Sequence, residues 1–137
     1  EEAGTIMRVI CEYQAYAENQ LMQIVAAVFF ENMDERVEEI TRATHLVASE
    51  ARTIEGRLSK SDWLVGEHVS AADIVVFPGI MLLLRAMEKR EAGDLRSRFL
   101  PMETTYPALA RWIERMSSLP GYERTYPPHW RDGAPRG

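Results

Sequence analysis

Through residues 5–29, apolar side chains recur at steps of three and four, and neither glycine nor proline interrupts them. This spacing puts them on one face of an α-helix, which has 3.6 residues per turn. A polar break follows at residues 30–34, where Asn32 can cap a second helix that starts near Asp34 and carries Glu35 in its first turn. The predicted inward face of this helix consists of Val37, Ile40, Thr44, Val47, Ala48, Ala51, Ile54 and Leu58. Two long amphipathic helices joined by a short loop predict an antiparallel hairpin.

The strongest local signal in the chain is the tetrapeptide Ser70-Ala-Ala-Asp73. In a capping box, the first side chain accepts from a backbone N–H of the new helix, and the fourth side chain bonds back to the first residue. The motif predicts that Ser70 and Asp73 cap a helix over residues 71–89, which is apolar on nearly all sides and therefore central. We expect Asp73→Ala to lower the free energy of unfolding by about 1 to 2 kcal/mol.

The remaining third of the chain predicts shorter helices and a tail. A helical segment carries Leu95 and Phe99, and Pro107 suits the first turn of another helix. The apolar face of that helix is Leu109, Trp112, Ile113 and Met116. Residues 122–137 are rich in proline and glycine and predict an extended tail. No strand-like alternation occurs, so the predicted fold is all-α, a helical bundle of about five helices over residues 1–121.

Composition narrows the classes of function. The formal net charge is -5 and the basic residues are scattered, which argues against nucleic acid as a partner. The apolar run at 74–84 is too short to span a membrane. A single cysteine, Cys11, excludes an internal disulfide, and its apolar neighbours predict a buried, unreactive thiol. With no targeting signal at the N-terminus, we expect a cytoplasmic protein.

Neither a metal site nor a catalytic site emerges from the residue spacing. The histidines His45, His68 and His129 are far apart, and none has the spacing that would place two ligands on one helix face. Ser70 and Asp73 lack a neighbouring base, so capping is the preferred interpretation over nucleophilic catalysis. We therefore expect no metal and no catalytic residue in this chain.

Two segments carry a resemblance to a known family. Residues 63–78 read Trp-Leu-Val-Gly-Glu-His-Val-Ser-Ala-Ala-Asp-Ile-Val-Val-Phe-Pro. They resemble the C-terminal helical domain of glutathione transferases, in which Leu-x-Gly precedes a Ser/Thr-x-Ala-Asp start of the buried core helix. Residues 106–112 read Tyr-Pro-Ala-Leu-Ala-Arg-Trp, with Leu-Pro at 119–120, and are similar to a later helix of that family. The resemblance extends over residues 5–120 and implies the same all-helical fold.

The resemblance also implies a role. In that family a preceding thioredoxin-like domain activates the thiol and makes most of the glutathione contacts, so this chain looks like the second half of such an enzyme. Glutathione is then the co-substrate of the whole protein, bound mainly by the other domain. The first long helix lines the pocket for a small electrophilic substrate, and the first two helices form a homodimer interface. By resemblance this chain contributes binding and dimerisation, and it is expected to be inactive alone.

Four residues lie on the stretch that corresponds to the pocket wall. Arg8, Glu12, Tyr13 and Tyr16 are therefore candidate substrate-binding residues. For the two tyrosines, which we expect on one side of the helix, simple packing is an equal alternative. For Arg8 a solvated surface position is the alternative.

Two other classes of function remain open at this stage. The chain can be a stand-alone helical interaction module without catalysis, or a carrier of apolar ligands. The core and the helix caps would look the same in all three cases.

Overall fold

A computed structural model describes residues 1–131 of the chain, and within this range every regular element is helical. The all-α fold class is therefore confirmed. Seven α-helical segments occur in the described range, two of them single turns, compared with the five helices expected. They are α1 Glu2–Tyr13, α2 Asn19–Phe29, α3 Val37–Leu58, α4 Ala71–Met87, α5 Met102–Thr105, α6 Pro107–Ser117 and α7 Tyr122–Thr125.

The predicted first helix is interrupted in its middle. A π-helical turn, Gln14–Glu18, joins α1 to α2 so that the three form one continuous helical rod, the first rod. The need for this turn follows from the spacing of buried residues. They repeat at steps of four, at Val9, Tyr13, Ala17, Leu21 and Val25. In a regular α-helix each such step drifts by about 40° around the axis. The wider π turn offsets this drift and returns the later residues to the buried face.

The start of α3 differs from the prediction. A 3₁₀ turn, Met33–Glu35, comes first, and α3 begins at Val37 rather than near Asp34. Asn32 makes no capping bond, and its buried Oδ1 has no hydrogen-bond partner. The backbone of Arg36, at φ -127°, ψ 28°, is not helical and separates the turn from the helix. Val37, expected on the inward face, is 59% exposed, so burial on α3 starts at Ile40.

Helix α4 buries one face, including Val76, Ile80 and Leu83, but Ile74 is 60% exposed, so the expectation that neighbours surround the helix is wrong for its outer face. Its N-terminus is capped as the motif predicts. The Ala72 N–H donates to Ser70 Oγ at 3.2 Å, and the Ser70 N–H donates to Asp73 Oδ2 at 2.9 Å. The other carboxylate oxygen, Oδ1, accepts from the Leu64 N–H at 3.0 Å and from Trp112 Nε1 at 2.8 Å. Asp73 is fully buried, so one carboxylate ties α4 to the loop before it and to α6.

Helix α6 begins at Pro107 as predicted, and its Leu109, Trp112 and Met116 are buried. Its N-terminus is capped by a residue from another helix. The two carboxylate oxygens of Glu55 on α3 accept from the N–H groups of Ala108 and Leu109 at 2.9 and 2.8 Å. Because Glu55 lies 53 residues before Ala108, the sequence around the start of α6 does not reveal this cap.

The segment between α4 and α6 is less regular than α4. A 3₁₀ segment, Arg90–Arg98, contains Leu95 and bends at Gly93, where φ is +53°. The guanidinium of Arg96 donates to the carbonyls of Met87 and Lys89, both at 2.7 Å, and so satisfies the C-terminus of α4. The single turn α5 then leads into α6.

The expectation of an extended tail is wrong for its described part. Tyr122–Thr125 forms the helical turn α7, and Pro128–Trp130 forms a 3₁₀ turn. Aromatic rings dock this segment on α4, with centroid distances of 5.8 Å for Phe77–Tyr122, 5.9 Å for Tyr122–Tyr126 and 6.0 Å for Tyr126–Trp130. Each pair is edge to face, the arrangement that aromatic quadrupoles favour. The tail residues 132–137 lie outside the described residues.

Candidate functional site

Tyr13 occupies the contact between the first rod and α4. Its side chain is 4% exposed, and a Cβ at Gly79 would overlap the phenol oxygen, so only glycine leaves room for it. Burial, reinforced by the Glu18 carboxylate, raises the pKa of Tyr13 to about 12. The phenol is therefore neutral at physiological pH and retains its O–H for donation.

Sequence analysis did not single out Gly79 as part of this contact. A signal for it exists, because an isolated glycine inside a helical apolar run indicates close approach by another group. A π-helical turn begins directly after Tyr13, and such turns are frequent at functional sites.

Arg8 and Glu12, one turn apart on α1, form a charged group with Arg57 of α3. Glu12 accepts from Arg57 of α3 at 3.1 Å and lies 3.8 Å from Arg8. Glu50 is close to this group, and burial together with the Glu12 carboxylate raises its pKa, against the opposing effect of Arg57. The side chain of Arg8 is 63% exposed, as its alternative interpretation, a solvated surface position, implies.

Tyr16 does not share a side with Tyr13, contrary to the prediction. Its side chain is 61% exposed, whereas that of Tyr13 is buried. The three-residue spacing brings side chains together only on a regular α-helix, and the π turn changes the angle between these two. The four candidate residues thus form no single pocket. Arg8 and Glu12 are adjacent, Tyr13 is buried under α4 and Tyr16 points to solvent.

The other candidate residues have structural surroundings. Every carboxylate bond of Asp73 is made within the capping region and to Trp112, and Ser70 Oγ donates to Asp73 Oδ2 at 3.0 Å. Cys11, which we expected to be buried, is exposed. Val9 and Tyr13, each two residues from it, point inward, and so Cys11 points outward.

The described part of the chain contains neither grouped metal ligands nor a helix able to span a bilayer. Among residues 1–131, no three His, Cys, Asp or Glu side chains are grouped so as to hold a metal ion. In the same range no helix is both long and apolar enough to span a bilayer.

Within residues 1–131 these features define an all-helical domain whose helix α4 has a capped N-terminus and one buried face. The chain belongs to the glutathione S-transferase family, because the family model described as "Glutathione S-transferase, C-terminal domain" matches residues 18–120. This match confirms the resemblance seen in the capping and Tyr-Pro segments. No curated protein matches the sequence.

Two solved structures show the same fold. A glutathione S-transferase from Pseudomonas fluorescens superimposes with a TM-score of 0.70 at 24% identity, covering 85% of this chain and 52% of its own. A glutathione S-transferase from Xanthobacter autotrophicus gives a TM-score of 0.70 at 20% identity, with coverages of 86% and 52%. The chain therefore spans about half the length of the structures it matches.

Proposed function

We propose that this domain is the electrophile-binding half of a glutathione transferase. In the whole protein, a thioredoxin-like domain supplies glutathione and activates its thiol, and this domain holds the small electrophile for attack. The observation that carries the proposal is the family match over residues 18–120. A cytoplasmic protein fits this role, since glutathione is a soluble thiol.

The pocket wall in this proposal is the surface of α1 and the π turn. The exposed groups Arg8 and Tyr16 contact the electrophile, and Glu12 holds Arg8 in place. Tyr13 supports the wall from below through its contact with Gly79. Such a surface acts by positioning, because holding two reactants in the correct geometry removes part of the entropic barrier.

The test uses a two-domain protein that contains this chain behind a glutathione-binding domain. We expect Tyr16→Phe to raise the KM for an aryl halide about three- to tenfold, corresponding to the loss of one hydrogen bond of about 0.5 to 1.5 kcal/mol. The KM for glutathione should not change. Tyr13→Phe is the matched control, because it removes a buried phenol hydroxyl and should leave both KM values unchanged. Unchanged kinetics in Tyr16→Phe and in Arg8→Ala would refute the assignment of the pocket wall.

The isolated chain gives a second, independent measurement. We expect no conjugation of glutathione to an aryl halide above the uncatalysed rate, because lowering the pKa of a thiol requires a nearby donor or cation arranged for that purpose. Turnover by the isolated chain would contradict the division of labour between the two domains.

We further propose that the whole protein is a homodimer through the first rod and α3. Support comes from large apolar side chains that are exposed on α2 and between it and the start of α3, namely Met22, Phe29, Phe30 and Val37, of which Phe30 is 78% exposed. Exposed apolar surface is a feature of interaction sites. Phe30→Asp should convert the dimer to monomer in sedimentation equilibrium, whereas Met7→Asp, at the other end of the rod, should not.

A further inference from the structure

A concave cleft opens between the C-terminal end of α3 and the outer face of α6. It has a volume of about 400 Å³, within the range of small-molecule sites. Three cationic side chains line it, Lys60 from the end of α3 and Arg111 and Arg115 from α6. In a chain with a formal net charge of -5, this is a local concentration of positive charge.

The carboxylates near the cleft leave two of these cations without an ion pair. Asp62 binds Arg115, whose Nη2 lies 3.0 Å from Asp62 Oδ1 and whose Nη1 donates to the Asp62 carbonyl at 2.6 Å. The carboxylate of Glu55 accepts hydrogen bonds from the N–H groups at the start of α6. Within residues 1–131, Lys60 and Arg111 have no carboxylate within 4.0 Å.

Arg115 is also held in place. Its guanidinium lies over the ring of Trp63, 5.6 Å from the centroid, so packing and hydrogen bonds fix it on the side of the cleft. The serine hydroxyls at the cleft donate to backbone carbonyls, Ser59 Oγ to Gly56 at 2.9 Å and Ser61 Oγ to Gly66 at 3.1 Å. Ser61 Oγ also accepts from the Trp63 N–H at 3.4 Å, so it keeps one lone pair, whereas Ser59 Oγ keeps both for the hydroxyl groups of a ligand.

We propose that this cleft binds a small, soluble phosphate monoester, such as a sugar phosphate. Lys60 and Arg111 hold the phosphate, which both side chains recognise through charge-assisted hydrogen bonds. The serine oxygens accept from the hydroxyl groups of the organic part. The cleft is larger than a bare phosphate needs, and its concave shape suits a small molecule.

The test is an NMR titration of the 137-residue chain with glucose 6-phosphate, observed at the backbone amides of residues 58–63 and 108–115. Glucose and sodium chloride at matched ionic strength are the ligand controls. We expect saturable chemical-shift changes with glucose 6-phosphate and none with glucose or sodium chloride. Lys60→Ala and Arg111→Ala should each raise the dissociation constant about tenfold, equivalent to about 1.4 kcal/mol. Arg42→Ala, an exposed cation elsewhere on α3, is the matched control and should bind as the parent does.

Three outcomes would overturn the proposal. One is equal shifts with chloride, which would mean screening alone. Another is a loss of stability in the Lys60 and Arg111 variants with unchanged affinity, which would mean that the cations only stabilise the end of α3. The third is binding to phosphatidylcholine vesicles containing phosphatidic acid without binding of glucose 6-phosphate, which would identify a lipid surface instead of a soluble ligand.

Discussion

At the scale of single residues, Asp73 shows how one buried carboxylate can serve three parts of the fold. Its Oδ2 completes the capping box of α4, and its Oδ1 accepts from Leu64 and Trp112. A donor that loses its partner in a buried site suffers the full cost of desolvation. Removing the Asp73 carboxylate therefore leaves the Leu64 N–H and Trp112 Nε1–H without an acceptor and also removes the capping bond.

We expect Asp73→Ala to lower the free energy of unfolding by at least about 3 kcal/mol, more than the cap alone explains. Trp112→Phe, which deletes one donor and keeps an aromatic ring, should cost about 1 to 2 kcal/mol. Urea unfolding measures both values. A loss in Asp73→Ala no larger than that in Ser70→Ala would show that the bonds to Leu64 and Trp112 contribute nothing.

The raised pKa of Tyr13 predicts that the free energy of unfolding falls at alkaline pH. Its pKa is 10.0 in an unperturbed chain and about 12 in the folded protein, so the buried phenol keeps its proton where the unfolded chain releases it. The stability linked to this proton is present below about pH 10 and is lost as pH rises toward 12. The slope reaches at most about 1.4 kcal/mol per pH unit, near the middle of this window.

The measurement compares unfolding free energies from pH 9 to 12 for the parent, Tyr13→Phe and Tyr16→Phe. The decline should be shallower in Tyr13→Phe alone, because Tyr16 is exposed and its replacement controls for the loss of one phenol. Parallel curves for the parent and Tyr13→Phe would contradict the assignment.

At the scale of elements, the first rod and α4 approach so closely that glycine is required. A side chain at position 79 would meet the Tyr13 oxygen first and its Cζ second, at 3.2 Å. We expect Gly79→Ala to lower stability by about 1 to 3 kcal/mol through overpacking. In a Tyr13→Phe background the cost should be smaller, since the oxygen is gone.

A double-mutant cycle measures this coupling, with thermal unfolding as the readout. Gly56→Ala is a matched control, because nothing lies within 4 Å of a Cβ at that helical position. It should stabilise slightly, as alanine favours a helix more than glycine does. Equal costs of Gly79→Ala in both backgrounds would mean that the phenol oxygen does not limit the approach.

At the scale of the whole molecule, the docked segment 122–130 covers the C-terminal half of α4. Tyr126 contacts both Tyr122 and Trp130, and Arg85 of α4 lies over the Trp130 ring at 5.9 Å. Each aromatic pair contributes about 0.5 to 1.5 kcal/mol beyond its buried area. The segment therefore adds stability to one end of α4, while Asp73 fixes the other end.

We expect Tyr126→Ala to accelerate amide hydrogen exchange about tenfold in residues 81–87, in line with the loss of two aromatic contacts. Residues 71–76 should keep their protection because the capping region is intact. His129→Ala is the matched control, since its exposed ring contacts only Trp130 among the aromatic side chains. A uniform increase along α4 would argue for global destabilisation instead of local docking.

The sequence by itself determined that the chain is helical and where α4 and α6 begin. Helical spacing, the Ser70–Asp73 motif and Pro107 act within one or two turns of chain, so their effect is the same whatever the helices pack against. The family resemblance depends on these same local segments, and the family model that matches residues 18–120 confirms it.

Only the tertiary structure decided which distant groups meet. The partners of Glu55 and Trp112 lie 53 and 39 residues away, and such pairs depend on how helices pack rather than on local propensity. The π turn likewise separates Tyr13 from Tyr16, because the drift of the apolar stripe must be corrected against α3 and α4. Local spacing fixes what a segment forms, and packing across the bundle fixes which side chains are buried, paired or free to bind.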